Sequence, residues 1–171
     1  MRLEIGGGTR QRGEGFANLD ICEGADIRHD LDITPWPIDD ESIDEVYTSH
    51  CIEHVKCYIS FVREVVRICR VGATVEIRCP DANSEMAMVA GHRAVFPINV
   101  VRHLDTVFPE IFWNGDRRLR LLRFEQCGDD YWLPLARQDW PDKSDEFLMR
   151  WIPRTCHENR FYFKVTENDC R

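Results

Sequence analysis

Lysine is nearly missing from this 171-residue chain: Lys56, Lys143 and Lys164 stand alone, and the remaining basic charge is arginine. The formal net charge is −8. A protein that coats DNA neutralises phosphates with a basic surface, so the balance argues against bulk DNA as a partner. No apolar run approaches the roughly 20 residues that a membrane helix requires, so no membrane partner is expected. The N-terminus enters a strand-like pattern at once, with no visible signal peptide, which predicts a cytoplasmic location. Low-complexity tracts and internal repeats are absent too. The length suits one domain with a proper core.

Paired cysteine is also lacking, although cysteine is not. The eight cysteines are scattered singly, none at the two-residue spacing of zinc knuckles or redox dithiols. Several fall inside apolar patterns and read as reduced structural thiols. There is no G-x-x-x-x-G-K-[ST] loop for a phosphate chain. Gly6-Gly7-Gly8 runs into Thr9, Arg10 and Gln11, which falls short of G-x-G-x-x-G.

What is there is a run of short strand signals with glycine or acidic ends. Residues 2–5 form a brief strand that stops at the three glycines. Residues 16–21 form a second, with Asp20 near its end, and residues 25–31 a third short element, with Asp30 near its end. Pro35, Pro37 and the turn chemistry of 39–42 mark a loop. A fourth strand over 43–48 ends at Ser49-His50. Apolar residues then recur at Ile52, Val55, Ile59, Val62, Val66 and Cys69, which predicts a helix. Arg63, Arg67 and Arg70 suit its C-terminal end, and Gly72 its stop. A β-branched strand over 74–79 follows. Strand, helix, strand at this spacing is a βαβ unit of a parallel sheet. Further on, the pattern predicts helices over 84–93, 100–107, 117–124 and 144–151 among aromatic loops. A returning strand covers 159–167.

In an open parallel sheet, ligands bind beyond the carboxyl ends of the strands. The distinctive polar residues of the first half fall at such ends. A glycine turn admits a ligand to the backbone, Asp20 suits two ribose hydroxyls, and Asp30 can accept from an exocyclic amine. Together they describe a nucleoside pocket without a long phosphate chain.

The stretches LEIGGG, GFANLDI, ADIRHDLDI, PWPIDDESIDEVYTSHCIEHV and FVREVVRICRVGATVEIRCPD occur in this order between Arg2 and Asp81. This series resembles the small class I S-adenosylmethionine-dependent methyltransferases, and looks closest to a compact group often found near cell-surface glycan genes. The resemblance implies an α/β, Rossmann-like, mostly parallel sheet of that type, with shortened early crossovers and a helical insertion before the last strand. The single domain, 1–171, would comprise a cofactor-binding core (1–81), a helical, aromatic-rich insertion or substrate cap (82–157) and a returning strand (158–171). The implied cofactor is S-adenosylmethionine. Glu4, Gly6, Gly7 and Gly8 would face its methionine part, Asp20 its ribose, and Ile21, Asp30 and Leu31 its adenine. Ser49 would lie beside the sulfonium.

The connections after Gly8 and after the second strand are too short for helical crossovers. One sheet face is then left bare, and the expectation is an apolar cover from the insertion or from a second subunit in a homo-oligomer. His50 and His54 are the candidate catalytic bases, with Glu53 orienting one of them. The acceptor is expected to be an oxygen or nitrogen of a small molecule or sugar. Arg117, Arg118 and Arg120 are its candidate binders if it is anionic. Two other readings compete. One is a non-catalytic cofactor- or partner-binding module. The other is a zinc hydrolase through His50-x-x-Glu53-His54, which would need His92, His103 or Glu110 as a further ligand. No metal is expected on the favoured reading.

Overall fold

The computed structural model describes residues 1–9, 13, 15–96, 105 and 116–167. Its frame is one sheet of β1 (Arg2–Ile5), β2 (Phe16–Asp20), β3 (Ile27–Arg28), β4 (Ile43–Ser49), β5 (Cys69–Pro80), β6 (Arg117–Gly128) and β7 (Cys156–Glu167). The strand order is β3-β2-β1-β4-β5-β7-β6. Strands β1 to β5 pair in parallel, whereas β7 runs antiparallel to both β5 and β6. Helix α1 (Tyr58–Ile68) makes the crossover from β4 to β5, and α2 (Trp132–Asp139) and α3 (Asp145–Trp151) stand between β6 and β7. The fold is thus α/β, Rossmann-like and mostly parallel, as the βαβ spacing predicts. No helix joins β1 to β2, β2 to β3 or β3 to β4 among the described residues.

The core lies on the α1 side of the sheet. Phe61, Val62, Val65 and Ile68 of α1 are buried with Leu3, Ile5, Val46, Val75, Ile77, Phe161 and Phe163. Each such side chain contributes about 1.5–3 kcal/mol when fully buried. The β3–β4 loop covers part of this side through Trp36, which is 2% exposed. Its ring meets Phe61 edge-on at 5.3 Å. Its indole N–H donates to the Leu31 carbonyl (3.1 Å), and its backbone N–H to the buried Glu64 carboxylate (2.7 Å). Arg67 closes the arrangement by donating to Glu64 and to the carbonyls of Trp36 and Ile38.

The opposite face corrects one expectation. Strand residues alternate sides, and those beside the buried Val46–Val75–Phe163 row are Glu45, Thr74 and Lys164. This face is polar and internally paired. Arg2 donates to Glu45 (2.7 Å) and lies over the Phe16 ring, Arg78 pairs with Glu76 and lies over Tyr47, and Arg123 lies over Tyr162. The Tyr162 hydroxyl in turn donates to Glu125 (3.0 Å). Among the described residues, the short crossovers therefore leave a mostly polar face and not the apolar one expected.

Four local expectations also change. The helix after β4 begins at Tyr58 rather than at Ile52, because the backbone there is already engaged. The Glu53 carbonyl accepts from Arg93 N and Ala94 N, and Lys56 N–H donates to Asp32. The helix ends at Ile68 and leads straight into β5, whose pairing with β4 jumps from Ile43–Cys69 to Glu45–Thr74. Gly72, at φ +92°, serves that irregularity and not a helix stop. Residues 117–124 are an edge strand and not a helix, since their alternation lets Leu119 pair inward beside Val165 of β7. The insertion is therefore only partly helical. Residues 84–93 hold one 3-10 turn, Glu85–Met88, capped by Ser84. Around 144–151 the expected helix is present as α3, with Ser144 accepting from Phe147 N. The helix expected over 100–107 lies outside the described residues except at Asp105, which is helical. No helix among the described residues is long and apolar enough to cross a membrane.

Candidate active site

At the carboxyl ends of β1, β2 and β4, where the strand order reverses, lies an open cleft of about 280 Å³. Gly6, Asp20, Ile21, Asp30, Leu31, Asp32, His50, Cys51, His54 and Val55 line it. The topology alone accounts for this place: outward-turning loops at a switch point leave a crevice between them.

Gly6 forms its floor at φ +74°, where a Cβ would stand 2.3 Å from Cys51 Sγ and 2.6 Å from Cys51 Cβ. The next residue is constrained by space alone, because a Cβ on Gly7 would meet Asn18 Oδ1 and the Glu4 carboxylate at 2.8 Å. Glu4 is buried behind the turn and so supports it from below. Asp20 ties the turn to β2. One carboxylate oxygen accepts from Gly8 N (2.8 Å) and the other from Cys22 N (2.9 Å). Asp30 caps its own turn by accepting from Asp32 N (2.9 Å). Ile21, 62% exposed, offers a bare apolar surface on the rim.

His50 closes the cleft on the β4 side, at φ +51°. Its Nε2 lies 2.9 Å from Glu158 of β7, and its Nδ1 3.4 Å from Glu53. The hydrogen bond to Glu158, with the Glu53 carboxylate, outweighs burial and raises the imidazole pKa to about 9. Burial opposes ionisation of Glu158, but His50 and Arg160 hold it down to about 2. The pair is an imidazolium–carboxylate couple at neutral pH. Cys51, beside it, is pushed up to about 12 by burial and is no thiolate nucleophile. His54, also in the cleft wall, turns its Nδ1 to the Gly91 carbonyl (3.3 Å), which leaves Nε2 as the lone-pair nitrogen of the neutral ring.

Of the residues singled out in the sequence, the structure brings Gly6, Asp20, Ile21, Asp30, Leu31, His50 and His54 to one cleft. Glu4, Gly7 and Gly8 stand behind it, and Ser49 ends β4 just before His50. Arg117, Arg118 and Arg120 do not join them. They begin β6 at the far edge strand, paired with Glu167, Thr166 and Lys164 at the end of β7 away from Glu158. Arg117 donates to the carbonyls of Cys69 and Arg67 at the end of α1, a structural role. The paired histidines of His50-x-x-Glu53-His54 diverge, since the segment is not helical, so they do not share a metal as that motif requires. Glu158 and Asp32 escaped the sequence reading, and His92 entered it only as a further ligand of the zinc motif. The first lies 108 residues from His50, and no local pattern marks it.

No protein-family model and no curated protein matches the sequence. Solved structures resemble its fold. An S-adenosylmethionine-dependent methyltransferase from Archaeoglobus fulgidus superposes with a TM-score of 0.61 at 15% identity, over 95% of this chain and 84% of that one. The chain has the class I methyltransferase fold. Phosphoethanolamine N-methyltransferase 2 of Haemonchus contortus, in complex with S-adenosyl-L-methionine, is similar at TM-score 0.59 and 15% identity, over 95% of this chain and 48% of that one. The [4+2]-cyclase SpnF is similar too, at TM-score 0.60 and 10% identity, over 95% and 74%. One frame thus carries more than one chemistry, and function must be argued from the cleft.

Proposed function

We propose that this chain is an S-adenosylmethionine-dependent methyltransferase acting on an oxygen or nitrogen of a small molecule or sugar. The observation that carries the reading is the Gly6 turn. A Cβ there would overlap Cys51, so backbone alone faces the cleft, flanked by the carboxylates of Asp20, Asp30 and Asp32 and by apolar walls. These residues fit the cofactor. Asp20 uses one acceptor site on each oxygen for Gly8 and Cys22, and a second on each remains for ribose hydroxyls. Asp30 can accept from the adenine amine, and Ile21, Leu31 and Val55 offer surfaces for the ring.

The cofactor, when bound, supplies an already activated methyl on a sulfonium, so alignment of the acceptor is most of the task. His50, protonated at neutral pH with its ring nitrogens turned to Glu158 and Glu53, lends positive charge to the cleft wall and is not a base. His54 lines the same cleft with Nε2 able to take the acceptor's proton. We place catalysis at the His54 side of the cleft on that ground. Cytoplasmic residence and a sugar acceptor belong to this reading as proposals.

Calorimetry with S-adenosylmethionine and S-adenosylhomocysteine tests it. Wild type should bind both and Asp20→Ala neither, with the variant still folded. No binding by wild type at millimolar cofactor would end the reading. One observation favours the non-catalytic alternative: Asp20 already serves two backbone N–H groups in a turn that no helix backs among the described residues. Cofactor binding without methyl transfer to any acceptor in a broad screen would favour that module.

A further inference from the structure

We propose that Glu53, His54 and His92 form a site for a late first-row divalent cation such as Zn²⁺, set into the wall of the cleft. One ligand atom from each residue lies within 4.8 Å of the other two. Ligand bonds of about 2.0–2.2 Å set tetrahedral ligand atoms about 3.4 Å apart, so the side chains would draw in by up to about an ångström to close the site. Two histidines and a carboxylate are a donor set suited to zinc, with room for a fourth ligand.

A second observation points to a ligand independently of the spacing. Glu53 is 1% exposed, yet neither carboxylate oxygen has a hydrogen-bond partner. A buried polar atom without a hydrogen bond is costly. The His50 ring faces Glu53 as an ion pair at 3.4 Å, yet both carboxylate oxygens remain without a hydrogen bond. His92 Nδ1 is likewise buried and unpartnered. The backbone assembles these groups deliberately. Arg93 and Ala94 N–H donate to the Glu53 carbonyl (2.7 and 3.3 Å), which brings the His92 turn onto the β4–α1 loop. The two imidazoles then meet edge-on at 4.7 Å. The bond from His54 Nδ1 to Gly91 O fixes the tautomer that leaves Nε2 as a ligand, the outer-sphere arrangement typical of metal-bound histidine.

This is not the His50-x-x-Glu53-His54 motif, because His50 faces Glu158 and His92 comes from a separate turn. His54 also lines the cleft, so the cation would border it. On the transferase reading, an acceptor hydroxyl reaching the open position would be acidified, and His54 would act as a ligand instead of a base. That second step rests on the reading above; metal binding does not.

The test uses chelator-stripped full-length protein, titrated with Zn²⁺ by calorimetry and with Co²⁺ by visible absorption. Wild type should bind one equivalent, with a tetrahedral cobalt spectrum free of thiolate charge-transfer bands. His92→Ala and Glu53→Gln should each weaken binding by more than the roughly 10–100-fold typical of a lost outer-sphere partner. His29→Ala should leave it unchanged. If Glu53→Gln fails to fold, His92→Ala decides, since that residue sits on a surface turn. Absence of stoichiometric binding, thiolate bands in the cobalt spectrum, or full affinity in His92→Ala would each overturn the site. Cofactor binding, measured separately on the metal-free protein, shows whether the transferase reading stands or falls by itself.

Discussion

Gly6→Ala probes the floor of the cleft with a single carbon. Two costs add at this position. Alanine in the left-handed region at φ +74° costs about 1–2 kcal/mol. Its Cβ would also stand 2.6 Å from Cys51 Cβ, which is anchored to backbone and cannot rotate away. Forcing a carbon into such a packed site costs about 1–3 kcal/mol more. The sum, about 2–5 kcal/mol, is a large share of a typical domain stability of about 5–15. Gly8→Ala is the control, because φ is +57° there but a Cβ meets nothing within 4 Å. It should lose only the torsional part, about 1–2 kcal/mol. The assay is urea denaturation of both variants, with Cys51→Gly and the Gly6→Ala/Cys51→Gly double variant completing a cycle. Since Cys51→Gly removes both clashing atoms, the cycle should show a coupling of about 1–3 kcal/mol. Equal losses at positions 6 and 8, or a coupling of zero, would refute the steric argument.

The His50–Glu158 couple makes stability depend on pH in a stated direction. His50 rises from about 6.5 to about 9 on folding, so its contribution is complete below about 6.5 and is lost as pH climbs through 9. Glu158 falls from 4.5 to about 2, so its contribution is complete above about 4.5 and is lost as pH drops through 2. The two are complete together between pH 4.5 and 6.5, and Glu158→Gln should flatten both limbs of the metal-free protein's pH–stability profile. Unchanged limbs would remove the couple. Trp36→Ala should cost about 3–5 kcal/mol in denaturation, because the ring is 2% exposed against Phe61. Arg117→Ala should cost about 1–2 kcal/mol through the lost α1 carbonyl contacts while cofactor affinity stays at the wild-type value in calorimetry. A loss of affinity would return that arginine to the binding site.

Strand ends were legible because the punctuation is local. Gly6, Asp20 and Ser49 mark them directly, and the parallel sheet follows from one βαβ spacing. Helix boundaries were not. Ile52 and Val55 are buried and periodic, so they satisfy a helical pattern, but the Glu53 carbonyl is occupied by residues 93 and 94. Only contacts across some 40 positions decide that segment. Residues 117–124 show the same ambiguity in another form. Leucines at 119, 121 and 122 fit either period, and the open edge of β7 settles the matter. The site divides along this line as well. Its glycines and strand-end acids announce themselves, whereas Glu158 and His92 reach His50 and Glu53 through tertiary packing.

The polar sheet face shows how the fold persists with so few crossovers. Removing helices from one side of a parallel sheet normally exposes β-branched surface, and an exposed apolar face invites association. Here the alternate positions carry arginine, glutamate and tyrosine in neighbouring strands. The ion pairs are exposed or half-buried, and the exposed ones are individually worth little. Their weight lies in what they replace, because a row of valines at positions 45, 74 and 164 would need a partner to hide it. Arginine suits the task better than lysine, since its planar head can stack on Phe16, Tyr47 and Tyr162 while bonding a carboxylate. The scarcity of lysine and the shortness of the early connections therefore have one physical reading: a sheet that must face water on one side is paved with side chains that tolerate both water and aromatic rings.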